Sequence, residues 1–338
     1  MKAIKYLNLF LITPLIVCFC VVSCKGQKTF GEQYLKLERV IPLPGVKGRI
    51  DHLDINLKDG VVYVAALGNN TLEAIDLQQG KLLHSIKGLE EPQGVGYISR
   101  NNEIIVANGG NGDCYFYNAD TFEKTGSLHL YSDADDVRYD SIAGKVYVGY
   151  GKGGIAIIDA DSHHQTGDVE LTAHPEGFQV DRKQGQLFIN VPDVHEIAVA
   201  NMASQKTITH WKMNVAAANF PMALDDKNNR LFVVCRKPAR LIVMDNENGK
   251  ILSVNECVAD ADDVYYDENN KRIYVSGGEG YINIFAEQED GTFKEIGNIP
   301  TGFGARTSLF AQALKLLIVA ARATTDEDAK LMIYKAMK

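Results

Sequence analysis

The sequence predicts an all-β protein: a seven-bladed β-propeller with four antiparallel strands per blade. Three observations predict it: a sevenfold repeat of one strand pattern, four strand-like runs in each repeat, and two chain ends that complete each other. The pattern is two bulky residues, then Val or Ile, then small residues. It reads VVYVAA at 61–66, EIIVAN at 103–108, KVYVGY at 145–150 and QLFINV at 186–191. It continues as RLFVVC at 230–235, RIYVSG at 272–277 and LLIVAA at 316–321. The fourth residues, Val64, Val106, Val148, Ile189, Val233, Val275 and Val319, are spaced by 42, 42, 41, 44, 42 and 44 residues. Four strands at a period of about 40 residues is a propeller-blade pattern.

Within the third repeat the runs are VRY at 137–139, KVYVGY at 145–150, GIAIID at 154–159 and TGDVEL at 166–171. They are β-branched or aromatic and bounded by Gly, Asp and Asn. DSIAGK at 140–145 and DENNKR at 267–272 are hairpin turns. Nothing between strands is long or periodic enough for a helix, which excludes parallel βαβ units. After Gly304 the chain supplies only three strands, TSLF at 307–310, LLIVAA, and LMIYK at 331–335. The missing fourth lies at the front. ERVIPLPGVKGRID at 38–51 parallels IGNIPTGFGAR at 296–306, so residues 34–43 are predicted as the outer strand of the last blade. That strand closes the ring.

The start of the chain reads differently. Lys2 and Lys5 precede a mostly apolar run, and VVSCKG follows at 21–26. This is a secretory signal pattern. The run is short for a membrane span and contains Asn8, Thr13 and Pro14. It also resembles the lipobox of bacterial lipoproteins, with Val21, Val22 and Ser23 before the acceptor Cys24. The resemblance implies cleavage before Cys24, lipidation there, and anchoring in the cell envelope, extracytoplasmic and facing the periplasm. The expected organisation is a signal at 1–23, a linker at 24–33 and one propeller domain at 34–338.

Composition narrows the partners. Hydrophobic residues make up 46% and charged residues 23% of the 338, as in a globular protein. Without Lys2 and Lys5 the formal charge of −8 becomes −10. An acidic chain with no Lys/Arg stripe points away from nucleic acid. Beyond Cys24 the mature chain has Cys114, Cys235 and Cys257, neither a disulfide framework nor zinc spacing. Cys235 is predicted on the second strand of blade five and Cys257 near the fourth, roughly 9.5 Å away. That is beyond disulfide reach, so free thiols are expected.

The repeats resemble the YVTN family of β-propellers. VVYVAALGNNTLEAIDLQQGK at 61–81 and EIIVANGGNGDCYFYNADT at 103–121 carry the likeness. It implies the same fold and fits an extracytoplasmic protein, but its matching residues are strand and turn residues and name no site.

Blade topology places the polar residues. The loop leading into each first strand and the loop from second to third strand share one face, the upper face. The lead-in loops carry Arg49, Asp51 and His52; Gln93; Asp133, Asp135 and Asp136; His174 and Glu176; Asn219 and Phe220; Asp260, Asp262 and Asp263; and Arg306. Outer loops of that face add Lys152, Asp193, His195, Arg236, Lys237, Arg240 and Glu279. DADDVRYD at 133–140 and DADDVYYD at 260–267 share seven of eight residues. They occupy equivalent places in blades three and six, so their acids are expected to face each other across the mouth, with Glu176 beside one patch and Arg49, Asp51, His52 and Arg306 beyond the other.

Arg49, Asp51, His52, Gln93, Asp136, Arg138, Glu176, Arg236, Asp263, Glu279 and Arg306 are the expected ligand-binding set. A small polar molecule or a protein partner is the expected occupant, and a monomer the expected state. Oxygen-rich rings also suit Ca²⁺ or Mg²⁺, with Asp136, Glu176 and Asp263 as ligands. Such a site would support a hydrolase, lactonase or lyase; the likeness to gluconolactonase-type propellers is architectural only. A metal-free version uses His52 or His174 as base, Asp51 or Glu176 to orient it, and Arg49, Arg138 or Arg306 to grip an anionic substrate such as a sugar acid. Against all of these stands plain turn chemistry, since loop Asp residues commonly cap backbone N–H groups. His163–His164 is read as a solvated lower-face turn, and Trp211 as packing between blades.

Overall fold

The structure is a computed structural model and describes residues 29–338; the expected signal sequence and lipidation site Cys24 lie outside the described residues. It contains seven four-stranded antiparallel sheets. The innermost strands are Leu53–Asn56, Pro92–Ile98, Val137–Asp140, Phe178–Asp181, Ala217–Asp225, Ala261–Asp267 and Thr307–Ala311, opening blades one to seven. The last sheet is completed from the front of the chain. Leu35–Leu43 pairs antiparallel with Ala329–Ala336, from Leu35 opposite Ala336 to Leu43 opposite Ala329. The sequence set this strand at 34–43. Phe30, expected in the linker, already pairs with Asn298.

The repeated pattern is the second strand of each blade. It is buried on both faces, as in Glu103–Asn108 and Arg272–Gly277, whose residues are all buried. A strand covered on both sides needs a continuous apolar run, not alternation. Fourth strands lie at the rim and alternate, as in Ile251–Glu256. Hydrophobic clusters occupy each of the seven blade junctions. One joins Tyr63 and Leu72 of blade one to Val95 and Ile104 of blade two. Another joins Ile41 and Leu331 of blade seven to Leu53 and Val62 of blade one.

Turn chemistry repeats with the blades. First strands end in Asn56, Asp140, Asp181, Asp225 and Asp267, whose side-chain oxygens accept N–H groups two or three residues on. These are Asx turns and explain many of the aspartates. The last turn residue before every second strand has positive φ: Gly60, Asn102, Gly144, Gly185, Asn229, Lys271 and Lys315.

The three cysteines after Cys24 are free. Trp211 stacks on Phe188 at 5.6 Å and packs against the cluster joining blades four and five. His163 departs from the expectation of a solvated turn. Its ring stacks on Phe116 at 3.9 Å and its Nε2 lies 2.8 Å from Glu103 of blade two. The reason is that a lower-face turn of one blade leans onto the next; His164 alone is exposed.

Lys315→Gly is expected to stabilise the fold by about 0.5–1 kcal/mol, because relief of left-handed strain exceeds the entropy cost of glycine. Its urea midpoint should rise with an unchanged m-value.

Candidate ligand site at the upper mouth

A cavity of about 940 Å³ runs along the axis and is lined from every blade. Its upper end gathers Arg49, Asp51 and His52 from blade one, Gln93 from blade two, and Asp133, Asp135 and Asp136 from blade three. His174 and Glu176 of blade four, Phe220 and Arg236 of blade five, Asp262 and Asp263 of blade six, and Arg306 of blade seven complete it. Glu279 does not line it. Its carboxylate accepts the Ala259 N–H at 3.0 Å and so holds the blade-six loop. Lys152, Asp193, His195, Lys237 and Arg240 also stay outside the lining.

The two acidic patches meet around one ring. His52 Nε2 lies 3.7 Å from Asp135 Oδ1 and its Nδ1 3.9 Å from Asp263 Oδ1. The sequence set His52 beyond the blade-six patch; the structure puts it between the patches. Its backbone N–H bonds Gln93 O at 3.2 Å, which fixes the loop that carries the ring inward. Gly94 makes room for the blade-three loop: a Cβ there would lie 2.0 Å from Asp135 O.

The two copies of the acidic phrase differ in partners. In blade six, Asp262 pairs with both Arg236 and Arg306, and Arg306 also holds Asp260 at 2.9 Å. Arg236 lies 3.7 Å above the Phe220 ring. Asp263 accepts the Ser308 N–H at 2.7 Å. In blade three, Asp133 accepts Gln93 Nε2 at 3.0 Å and Asp136 pairs with Arg138. Among the described residues no guanidinium comes within 4 Å of Asp135. Asp135 Oδ1 and Asp136 Oδ2 are buried without a hydrogen-bond partner among the described residues. The carboxyl of half-buried Glu176 accepts no hydrogen bond from the described residues, while its backbone N–H bonds Asn190 O at 3.0 Å. Arg49 is bound to Asp51 at 2.5 Å. His174 Nδ1 lies 2.6 Å from Gly151 O. A carbonyl only accepts, so Nδ1 donates a hydrogen bond to it.

These contacts set the electrostatics. Burial alone would lower the His52 pKa, but Asp136, Asp51, Asp263 and Asp135 push it up to about 10. Burial raises Asp263 to about 7 against the opposing pull of His52. Burial also raises Asp135, with Asp51 and Asp136 adding to it. Glu176 is raised by burial and then by Asp135 and Asp262. Among the described residues no three His, Cys, Asp or Glu are grouped closely enough to hold a metal ion as they stand.

Sequence reasoning missed Asp54 and Tyr265, which line the channel deeper down. Asp54 accepts the Tyr97 N–H at 2.6 Å, and burial lifts its pKa to about 6. Tyr265 donates to Ser308 O at 2.9 Å. Gln179 does the same to Met222 O at 2.7 Å. Asp54, Arg138, Gln179 and Tyr265 occupy the same place, paired with the third residue of the repeated pattern. Aligning first strands on that register is the signal that finds them.

No protein-family model matches the sequence, and no curated protein matches it. The structure is similar to a chain in the crystal structure of the mitotic checkpoint complex, at 16% identity, 99% coverage of both chains and a TM-score of 0.76. A chain of Kuenenia stuttgartiensis hydrazine synthase matches at 11% identity over 86% of this chain and 98% of that one, TM-score 0.70. The RRP9 WD40 repeats match at 9% identity over 90% and 98%, TM-score 0.76. At these identities the likeness shows the fold: this chain is a seven-bladed β-propeller.

All the raised groups of the mouth share one sign. The folded state holds protons that the unfolded chain releases near pH 4 for carboxyls and about 6.5 for histidine. Their stabilisation is complete below those values and is lost as pH rises through about 7 for Asp263 and about 10 for His52. The melting temperature is expected to fall from pH 6 to pH 10. Glu176→Gln should flatten the decline and raise the midpoint at pH 8 by about 2 °C or more.

Proposed function

We propose that this protein is a lipid-anchored, extracytoplasmic propeller that binds a small polar ligand at its upper mouth. One observation carries the reading: Asp135 and Asp136, which line a cavity of about 940 Å³ at the blade axis, each bury a carboxyl oxygen without a hydrogen-bond partner among the described residues. Buried polar groups are normally satisfied, so their lack of partners is what a ligand would supply. Cys24 would carry the anchor and keep the protein on the periplasmic side of the envelope as a monomer, with no nucleic acid partner.

Catalysis at the same mouth is the second reading, as a hydrolase, lactonase or lyase. It is favoured by a half-buried imidazole within 4 Å of carboxylates from blades three and six. Ca²⁺ or Mg²⁺ belongs to that reading.

A thermal-shift screen of sugar acids, lactones, amines, Ca²⁺ and Mg²⁺, with elemental analysis of the purified protein, tests the pair. Binding alone predicts a saturable rise in melting temperature that weakens in steps across Gln93→Ala, Glu176→Gln and Arg306→Ala. Catalysis predicts turnover that a single change, His52→Asn, abolishes. No protection by any compound, or protection equal in all three variants, removes the binding reading. Cys24→Ala is expected to move the protein from the membrane fraction to the soluble fraction.

A further inference from the structure

Each arginine of the mouth is already committed to a carboxylate. Arg49 holds Asp51, Arg138 holds Asp136, and Arg236 and Arg306 share Asp262. An anionic ligand would have to compete for every one of them. The acceptors are in the opposite condition on the blade-three and blade-four side. Asp135 is 8% and Asp136 2% exposed, and each has an oxygen with no hydrogen-bond donor among the described residues. Among the described residues His52 is the cation that comes within 4 Å of Asp135, and its Nε2 stays 3.7 Å away, beyond hydrogen-bond range. Glu176, half-buried in the same cavity wall and close enough to Asp135 to feel its charge, accepts no side-chain hydrogen bond from the described residues.

We infer that the mouth takes its ligand through a protonated amine seated against Asp135, Asp136 and Glu176. This rests on the ligand-binding reading above and names the chemistry of the ligand. A buried carboxylate is stabilised by a paired charge with hydrogen bonds. An ammonium brings three donors and one positive charge, whereas a hydroxyl brings one donor and no charge. A carboxylate or phosphate brings only further acceptors. The blade-six copy of the same acidic phrase shows what the blade-three copy lacks, because there the chain supplies the cations itself through Arg236 and Arg306.

The test uses three sugar-derived probes of similar size and different charge: glucosamine, glucose and gluconate. Each is titrated at millimolar concentration into the purified protein by calorimetry and thermal shift, with putrescine as a second amine. At least tenfold tighter binding of an amine probe than of glucose and gluconate is expected, with loss of at least tenfold in Asp135→Asn. That variant keeps the shape of a side chain that accepts no hydrogen bond from the described residues but cannot become a carboxylate when an amine arrives, so folding is preserved; its unliganded melt checks this. Equal or tighter binding of gluconate overturns the inference and leaves the binding reading standing. Protection by Ca²⁺ or Mg²⁺ with none by either amine overturns it in favour of a metal. Amine binding unchanged in Asp135→Asn overturns it as well, and so does no binding by either amine.

Discussion

Ring closure is the constraint on which the rest depends. Leu35–Leu43 must find Ala329–Ala336 across nearly the whole chain. Joining ends about 300 residues apart costs roughly 5 kcal/mol in loop entropy. Opposing this, the strand buries Leu35, Ile41 and Leu43 and pairs along its length. It also covers an edge that would otherwise be open. Without it, Ile41 and Leu43 would leave the cluster that joins blade seven to blade one. The seventh junction would then fall open, and the axis would have no defined mouth.

Closure brings seven loops to one place, and each blade can vary its own loop at little cost to the others. The blades therefore share a core and differ at the axis. Hydrogen bonds from inner strands stitch neighbouring blades there: Asp54 to Tyr97, Gln179 to Met222, Tyr265 to Ser308. These bonds hold the channel wall in register. The mouth then sits on a rigid frame, so its charges cannot rearrange freely to neutralise one another. Asp135 remains without a guanidinium although Arg306 and Arg236 lie in the same cavity wall.

Duplication explains why the acidic phrase appears twice, and its surroundings explain why the two copies differ. The first aspartate adopts a left-handed conformation in both, at Asp133 and Asp260. Asp tolerates that conformation better than most residues, so part of the repetition is turn chemistry. The other acids of the phrase are distinguished by what neighbouring blades bring to them. Blade five sends Arg236 and blade seven sends Arg306 to the blade-six copy, while blade one sends only His52 towards the blade-three copy.

The sequence by itself determined the blade count, the strand order, the closing strand and the face on which the polar loops gather. It could do so because second strands buried on both sides must be apolar throughout, and that demand is local and repeats every 41 to 44 residues. Left-handed turn positions were half legible: Gly60 and Gly144 announce themselves, but Lys271 and Lys315 do not. Tertiary structure alone decided the partners at the axis: that His52 sits between the patches, that each arginine is taken, that His163 stacks on Phe116, and that Asp54 accepts the Tyr97 N–H. Such pairings depend on side-chain reach across a gap between strands distant in the chain, and no periodicity in one strand records what stands opposite it.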